Sequence, residues 1–500
     1  MKAFLMYRDR DFDLEQPAPP NADTLTQDLE LNTLLNAMAL GDAFLLDVAR
    51  KALLASLRDP EEIVYRQRIL ADCIAQPTTV RELYDIAMQA VQAERKVWSF
   101  WAKSPDSILH RSVQVLEILV DALKRLRKIA DTAAERFHSE GFRRLFAMLT
   151  DELSDDYFAL IEAHLRELKF PRGVLISADL GAGVKGARYV LRRAHEQRWI
   201  ERFSLLGGSG YSFHLADRDE SGFQALEELR GKGINLVANA LAQSTDHIVS
   251  FFSMLRTELA FYVGCLNLHA RLNGYGAPLC MPIPEATDTN MLSAEELYDA
   301  SLALQLQRGV VGNAVNADGK SLVIITGANQ GGKSTFLRSI GVAHLMMQSG
   351  MFTPARSFRA SVCDGVFTHY KREEDTTMQS GKLDEELRRM SAIADMITPH
   401  ALLLCNESFA ATNEREGSEI ARQIIRALRE GGITIIYVTH LYDLAHSFYR
   451  QEHDDVLFLR AQRQSDGQRT FRLVEGEPLP TSYGEDSYQR IFGEADTSLV

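Results

Sequence analysis

Apolar residues recur at helical spacing through most of residues 20–170. Two stretches show this spacing most clearly: Leu29, Leu31, Leu34, Leu35, Met38 and Leu40, and then Leu116, Ile118, Leu119, Ala122, Leu123 and Leu126. The segment Asp59-Pro60-Glu61-Glu62 is typical of a helix start, because proline fits the first turn and acidic groups favour the helix N-terminus. The pattern predicts a series of long helices, which suits a scaffold or lever.

The pattern changes between about 172 and 240. Val174–Ala178 and Tyr211–Leu215 are short strand-like runs among several glycines. Helical periodicity returns from Ile234 to Leu272, and a loop rich in proline and glycine follows from Gly274 to Pro284. From about 295 onward, apolar strands and helices alternate as in a doubly wound α/β domain.

These patterns predict a multidomain fold, since 500 residues exceed the size at which one core keeps growing. We expect a long α-helical core and lever region with a small clamp-like α/β insertion, followed by an α/β P-loop ATPase domain of ABC-like type. The predicted parts are a helical core over 1–130, a helical arm with the clamp-like insertion over 131–240, a returning helical lever and linker over 241–290, and the ATPase domain over 291–500.

Composition narrows the function classes only slightly. No apolar run approaches the roughly 20 residues that span a bilayer, and charge follows the N-terminus at Arg8 and Asp9, so we predict a cytoplasmic protein without a membrane partner. The five cysteines are scattered without a CxxC pair, which favours buried thiols over a disulfide or zinc site. The net charge of -13 argues against a general basic surface. It leaves a local basic groove open, because charges are screened over about 8–10 Å.

A glycine-rich loop lies between the strand-like run Ser321–Thr326 and the helical Phe336–Ile340. This loop reads GANQGGKST, which is GxxxxGK[ST] in the strand, loop and helix context that the motif requires. Its residues are Gly327, Ala328, Asn329, Gln330, Gly331, Gly332, Lys333, Ser334 and Thr335. Backbone N–H groups of such a loop surround phosphates, while Lys333 supplies charge to the β and γ phosphates and the Ser334 hydroxyl binds Mg²⁺. The loop predicts a site for ATP and Mg²⁺.

Two later strands end in polar residues of related chemistry. The run Leu402–Cys405 leads into Asn406 and Glu407, and Ile433–Val438 leads into a Thr-His pair ending at His440. In ABC-like ATPases, an acid directly after the Mg²⁺-associated residue orients or deprotonates the attacking water, and a histidine lies near the γ phosphate. Glu407 and His440 are therefore the predicted catalytic residues.

Asn406 departs from the usual pattern, in which an aspartate stands at this position. Together with Ser334 it is a predicted Mg²⁺ ligand, because an amide oxygen can still hold a Mg²⁺-bound water. It brings no negative charge, so we expect weaker metal affinity and slower turnover.

Segments from about 300 to 490 together resemble one known family. Thr326–Thr335 looks like its TGxNxGGKST, and Val311–Val315 looks like the segment that precedes this loop. Thr412 and Gly417 follow Glu407 at the spacing of a dimer-facing loop, and Thr481-Ser482-Tyr483-Gly484 looks like an SYG segment. This family is the MutS family of DNA mismatch-repair ATPases. Its aromatic residue near Val310 is absent here.

The resemblance extends weakly upstream, where Asp59–Ile63 with Arg66 looks like the start of the family's helical core. Because the chain begins almost at that core, we expect a truncated MutS-like paralogue without the N-terminal mismatch-recognition domain. The resemblance further implies a homodimer with a composite ATP site, and a helical clamp for double-stranded DNA.

Ser380 is the candidate for the family's signature serine, which reaches the ATP of the partner subunit. The alternative is that Ser380 is the N-cap of a helix. The apolar face of that helix would consist of Leu383, Leu387, Met390 and Ile393. Both alternatives stay open, and both roles could hold together.

Two weaker signals lie in the clamp-like insertion. Gly181-x-Gly183-x-x-Gly186 matches a dinucleotide fingerprint, but the motif alone is weak, and a turn is the favoured interpretation. The stretch 172–202 holds an excess of basic residues that either contact a DNA backbone or form a solvated face. These are Arg172, Lys185, Arg188, Arg192, Arg193, Arg198 and Arg202.

The leading hypothesis is an ATP-dependent DNA-binding protein with a role in DNA repair or recombination. In it, nucleotide binding closes a dimeric composite site and acts on a helical DNA clamp. The alternative is a nucleotide-gated protein-interaction switch with weak ATPase activity and no direct DNA binding, which the acidic net charge favours. A small-molecule phosphotransferase is disfavoured by the long helical N-terminal part and by Glu407 and His440.

Overall fold

The structure, a computed structural model, describes residues 1–97, 104–193, 213–372, 381–451, 453–464 and 469–479. The described chain forms two compact units. Unit 1 contains residues 1–3, 78–137 and 142–259, and unit 2 contains residues 4–77, 138–141 and those from 260 onward. The predicted four-part division stays a prediction, and its first part, 1–130, is shared between the two units.

The α-helices of the described residues are α1 (Ala22–Asp28), α2 (Leu31–Ala39), α3 (Ala43–Leu54), α4 (Pro60–Ala75), α5 (Pro77–Lys96), α6 (Pro105–Ala133), α7 (Glu140–Glu152), α8 (Asp155–Leu168), α9 (Glu220–Gly274), α10 (Ala300–Leu306), α11 (Lys333–Gln348), α12 (Lys382–Met396), α13 (Glu414–Glu430) and α14 (Tyr442–Tyr449). The strands are β1 (Leu175–Leu180), β2 (Gly186–Arg192), β3 (Ile283–Glu285), β4 (Leu292–Leu297), β5 (Asn313–Asn316), β6 (Leu322–Thr326), β7 (Ser357–Ser361), β8 (Val366–Tyr370), β9 (Leu402–Asn406), β10 (Thr434–Val438), β11 (Val456–Arg463) and β12 (Arg469–Glu475). The predicted combination of a helical part with an α/β part is therefore confirmed.

Unit 1 is mainly helical, and serine side chains cap its helices α6 and α8. Ser104 caps α6 through a reciprocal capping box with Ser107. The apolar face of α6 is buried as predicted, except that Ile118 is exposed. Phe137, Phe142 and Phe146 form an aromatic cluster, with ring centroids 4.5 to 5.8 Å apart.

A two-stranded antiparallel hairpin, β1 with β2, is inserted between the helices of unit 1. Its turn is closed by the N–H of Gly181, which donates to the carbonyl of Lys185 at 2.8 Å, and Gly183 has a φ of 71°. Gly186 begins strand β2 and not a helix, so the turn interpretation is confirmed and the dinucleotide fingerprint is wrong. The predicted strand at Tyr211–Leu215 is also wrong at its described residues 213–215, which have no regular structure.

Helix α9 is the longest element, and it begins 14 residues before the predicted Ile234. Among the described residues, it is the one helix that is long and apolar enough to cross a membrane by length and composition. This corrects the expectation that no such segment exists. However, 72% of its apolar 18-residue stretch is buried inside the protein, as in a core helix.

The N-terminal helices α1 to α4 belong to unit 2. The side-chain amide of Asn21 donates to the carbonyl of Val366 in β8 at 2.8 Å, and Asp28 pairs with Arg372 at 2.9 Å. Helix α4 begins as predicted, because the Asp59 carboxylate accepts from the N–H of Glu61. Residues before position 58 thus pack with the C-terminal α/β part, which the hydrophobic pattern did not indicate.

The centre of unit 2 is a six-stranded sheet in the order β12-β11-β6-β10-β9-β8. All its neighbouring strands are parallel except β12, which runs antiparallel to β11. The central strands are continuous apolar runs because helices cover both faces of such a sheet. A second sheet has the order β3-β7-β4-β5. Since β6, β9 and β10 are parallel, the residues that follow them meet at one edge, where α/β proteins bind ligands.

Candidate functional site

The glycine-rich loop between β6 and α11 lies at this edge and is closely packed. All five residues of β6 are buried, and α11 begins at Lys333. Gly327 and Gly332 have φ values of 110° and 91°, which favour glycine. A Cβ on Gly331 would lie 2.7 Å from the Cβ of Ala461 and 2.9 Å from the carbonyl oxygen of Ala328. The loop therefore requires glycine for conformation and for space.

Lys333 is folded back onto the loop. Its Nζ donates to the carbonyl oxygens of Gly327 at 2.7 Å and Ala328 at 2.9 Å, and only 5% of the residue is exposed. Burial lowers the pKa of Lys333; the Glu407 carboxylate acts in the opposite direction, and the Arg469 guanidinium lowers it further. A desolvated ammonium among backbone carbonyls is well suited to bind an anion that enters the loop.

Ser334 and Asn406 join the first turn of α11 to the end of β9. The Ser334 hydroxyl donates to Oδ1 of Asn406 at 2.8 Å. Both offer neutral oxygen atoms, which suit Mg²⁺ when phosphate and water oxygens complete the ligand set. The described residues contain no group of three or more His, Cys, Asp or Glu side chains that could hold a metal.

Glu407 directly follows β9, and its backbone has a φ of 53°. Its N–H donates to the carbonyl of Val438 at 2.9 Å, which fixes it against the end of β10. Oε2 of Glu407 lies 3.9 Å from Nδ1 of His440. This imidazole is the largest influence on the pKa of Glu407 and lowers it despite the opposing effect of burial, while Lys333 and Lys371 lower it further. Glu407 is therefore a carboxylate within electrostatic reach of Lys333.

The structure brings Lys333, Ser334, Asn406, Glu407 and His440 together at one edge of the sheet. The other predicted residues differ in exposure or are not described. Asn329, Gln330 and Ser334 are exposed at the rim of the loop, and Thr335 is half-buried. Ser380 and Thr481–Gly484 lie outside the described residues. Helix α12 has Gly381 at its N-cap position, and both alternatives for Ser380 stay predictions.

The segment from Thr412 to Gly417 precedes and opens α13. Asn413 is its N-cap and accepts from the N–H of Glu416 at 3.0 Å, and the Thr412 hydroxyl also bonds the Glu416 carboxylate. A Cβ on Gly417 would collide with the carbonyl oxygen of Phe409. Glycine is therefore required here for close packing against the segment that follows Glu407.

Several basic residues of unit 1 lie on or directly beside the β1–β2 hairpin. Arg188 pairs with Asp179 at 2.9 Å, and Arg192 donates to the Ser177 hydroxyl at 2.9 Å. Arg193 pairs with Glu167. Arg188 and Arg193 remain more than 80% exposed. Arg198 and Arg202 lie outside the described residues.

Two family models match the chain. Residues 58–275 match the MutS2 N-terminal domain, and residues 323–490 match MutS domain V. The second segment contains Glu407, His440 and the glycine-rich loop that begins at Gly327. The chain belongs to the MutS family. The recognition that rested on the loop motif is thus confirmed.

Curated relatives of the chain include DNA mismatch repair proteins and a MutS protein homolog. The chain is 28% identical over 415 residues to the DNA mismatch repair protein msh3 of Aspergillus terreus, covering 76% of this chain and 36% of that protein. It is 26% identical over 249 residues to MutS protein homolog 4 of Mus musculus, covering 48% and 24%. It is 29% identical over 217 residues to the DNA mismatch repair protein MutS of Desulforamulus reducens, covering 40% and 25%. The chain spans about a quarter to a third of the length of these relatives.

Sequence reasoning missed a buried network beside the site of this MutS-family chain. His369 in β8 is fully buried and bonds the Ser408 hydroxyl through Nδ1 at 2.7 Å and the carbonyl oxygen of Glu386 in α12 through Nε2 at 3.0 Å. The Tyr437 hydroxyl donates to the carbonyl of Ser408 at 2.7 Å. Burial lowers the pKa of His369 to about 4. The network fixes the residue that follows Glu407, and no motif or periodicity signals it.

Proposed function

We propose that this protein binds ATP with Mg²⁺ at the glycine-rich loop and hydrolyses it as a P-loop ATPase of MutS type. The observation that carries the proposal is the convergence of Lys333, Ser334, Asn406, Glu407 and His440 at one sheet edge, inside the segment that matches MutS domain V.

Binding begins with the loop and its lysine. Backbone N–H groups at the start of α11 face the phosphates, and Lys333 exchanges the carbonyls of Gly327 and Ala328 for phosphate oxygens. Ser334 and Asn406 would hold Mg²⁺, which neutralises charge on the phosphates. Because Asn406 is neutral, we expect the metal to be held less tightly than by an aspartate.

Hydrolysis needs a group that orients and deprotonates water. Glu407 is suited to this role, since its lowered pKa keeps it a carboxylate at neutral pH. His440 lies beside it and would hold the carboxylate in place while contacting the γ phosphate. The proton of the water passes to Glu407 as the water oxygen attacks the γ phosphorus and the bond to the β-phosphate oxygen breaks.

The proposal extends to assembly and DNA. Ser380 and the segment from Thr412 to Gly417 would face a second subunit and complete its ATP site in a homodimer. The helical part with its hairpin would bind double-stranded DNA, mainly through phosphates, and therefore with a steep salt dependence. Support comes from the relatives, which are named as DNA mismatch repair proteins and a MutS protein homolog.

Two measurements on the full chain test this proposal. One follows ATP hydrolysis, and the other is a salt-titrated DNA-binding assay with and without ATP. We expect ATP hydrolysis, and binding to homoduplex and mismatched duplex DNA alike that changes with nucleotide and weakens as salt rises. No hydrolysis by the purified chain would reject the ATPase assignment. Hydrolysis without DNA binding at low salt would reject the DNA assignment alone.

The second candidate is a nucleotide-gated switch that binds a protein partner and not DNA. The observation that favours it is the pairing of Arg188 with Asp179 and of Arg193 with Glu167, since paired arginines are less available to phosphates. ATP-dependent DNA binding in the assay above would reject this candidate.

A further inference from the structure

The hairpin formed by β11 and β12 packs directly against the glycine-rich loop. A Cβ on Gly327 would lie 2.9 Å from the backbone nitrogen of Ala461 in β11, and a Cβ on Gly332 would lie 3.3 Å from the carbonyl oxygen of Phe471 in β12. This flank of the loop is therefore closed by protein backbone. The side chains of the hairpin beside it are close enough to contact whatever the loop binds.

One cation of β12 reaches this flank. Nη1 of Arg469 donates to Oε1 of Gln330, within the loop, at 2.8 Å. The strand is anchored two and four residues further on by Asn313, whose amide donates to the carbonyl of Phe471 at 3.2 Å and accepts from the N–H of Leu473 at 2.7 Å. These bonds keep the Arg469 guanidinium at the rim of the loop.

Two cations of the loop region, Lys333 and Arg469, are accompanied by one carboxylate, that of Glu407. Arg469 is near enough to Lys333 to lower its pKa, in addition to the larger effect of burial. The end of β9 carries Asn406, so the negative charge that an aspartate would supply there is absent. Relative to a site with an aspartate at 406 and a neutral residue at 469, this site has one more positive charge and one fewer negative charge. Such an excess favours a polyanion directly, without a metal ion to neutralise it.

We propose that Arg469 is a phosphate-binding residue of the ATP site and that it makes nucleotide binding only weakly dependent on Mg²⁺. The inference rests on the proposed function, because it needs ATP in the glycine-rich loop. A guanidinium binds phosphate oxygens through paired N–H donors, and the negative charge of the phosphate strengthens these bonds relative to its present single bond to a neutral amide oxygen. Arg469 would therefore exchange Gln330 for phosphate when ATP enters.

The decisive experiment is calorimetric titration of the full chain with ATP, once in EDTA and once with Mg²⁺. Wild type should bind ATP in EDTA within about tenfold of its affinity with Mg²⁺. Arg469→Gln keeps an amide that can donate to Gln330 but removes the charge, so its affinity in EDTA should fall about tenfold or more, with a smaller loss in Mg²⁺. Arg469→Lys keeps the charge and should retain more metal-free binding than Arg469→Gln.

Arg472→Gln is the matched control, because Arg472 is an exposed arginine on the same strand and its removal changes net charge equally. It should stay within about twofold of wild type in both conditions. The proposal is overturned if Arg469→Gln binds ATP in EDTA as wild type does, if it loses affinity equally with and without Mg²⁺, or if wild type binds ATP only with Mg²⁺. Absence of ATP binding by wild type in both conditions would instead reject the proposed function itself.

Discussion

Two regions of this molecule hold their basic side chains in different ways. At the glycine-rich loop, Lys333 is buried and its ammonium contacts backbone carbonyls. On the β1–β2 hairpin of unit 1, Arg188 and Arg193 are largely exposed and pair with carboxylates, and Arg192 contacts a hydroxyl. The first region concentrates charge where solvent cannot screen it, and the second exposes charge to solvent and counter-ions.

This difference predicts how each region responds to mutation and salt. A buried cation loses little of its interaction energy to screening, so its removal should be costly and nearly independent of salt. An exposed arginine in an ion pair contributes about 1 kcal/mol or less, and its contacts weaken as salt rises. We therefore expect the ATP site to respond strongly to single substitutions and the hairpin to respond only to combined ones.

The largest expected effect is that of Lys333→Ala, because it removes the buried charge that faces the phosphates. ATP affinity should fall by about a hundredfold or more, since bonds from charged donors contribute about 1.5–3 kcal/mol each and this lysine would make two. Calorimetry with ATP measures the change. Lys320→Ala is the control, since Lys320 lies just before β6, at the opposite end of this strand from Lys333. Equal affinity in the Lys333 variant and wild type would refute the loop as the nucleotide site.

Glu407→Gln should lower ATP turnover by nearly the factor by which Lys333→Ala lowers ATP affinity. It should leave ATP binding intact. The amide keeps the size of the side chain but cannot accept the proton, so turnover should fall about a hundredfold or more. A steady-state ATPase assay combined with ATP titration separates the two quantities. Turnover at the wild-type rate would mean that another residue activates the water.

The pH dependence provides a second test of Glu407. Its pKa is lowered below the ordinary value of 4.5, so Glu407 should lose activity by protonation only below that pH. His440→Asn removes the largest cause of the lowering, and the acid limb of the pH–rate profile should then move to higher pH. An acid limb that stays in place would show that His440 does not control this carboxylate.

The two regions also differ in how far the sequence could predict them. Strands β6, β9 and β10 begin within one residue of their predicted positions, because buried parallel strands are continuous apolar runs that end in polar residues. Because these strands end where predicted, the sequence also predicts the positions of Asn406, Glu407 and His440. The roles of these three residues stay predictions. In unit 1, the predicted run Val174–Ala178 corresponds to β1, whereas the described residues 213–215 of the second predicted run have no regular structure. Strand β2 was not predicted, because short exposed strands have little apolar periodicity.

Contacts between distant parts of the chain were beyond any local pattern. Arg338 in α11 pairs with Glu30 and with Asp299 at 2.5 Å, which joins the N-terminal helices to the helix after the loop. The bond from Arg469 to Gln330 likewise spans 139 positions. Such pairs depend on the finished topology of unit 2, and a single sequence offers no spacing rule for them.

Asn406→Asp should moderately improve the use of Mg²⁺, whereas the substitutions at Lys333 and Glu407 impair the ATP site. The added carboxylate restores the charged ligand that Mg²⁺ prefers, so Mg²⁺ should support ATP turnover at about tenfold lower concentration. Titrating Mg²⁺ in an ATPase assay measures this change, and Asn316→Asp, at the exposed end of β5, controls for added charge elsewhere in unit 2. A natural protein that needs less Mg²⁺ than the variant would contradict our account of Asn406.

The smallest effect per residue is expected at the hairpin, where three substitutions are combined. Arg188→Glu, Arg192→Glu and Arg193→Glu together should lower the affinity for duplex DNA about tenfold at low salt, equally for matched and mismatched duplexes. Each arginine that no longer binds a phosphate should also reduce the slope of log K against log salt by about 0.9, so three arginines correspond to a reduction of about 2.7.

Reversal of the exposed Arg136, Arg143 and Arg144 changes net charge by the same amount on another part of unit 1, and it serves as the control for long-range repulsion. If both triple variants lower affinity alike and leave the salt slope unchanged, the hairpin is a solvated face whose arginines serve Asp179 and Glu167 only. If the hairpin triple alone reduces the slope, phosphates compete successfully with those two carboxylates. The exposed ion pairs would then be weak enough to open, as their exposure implies.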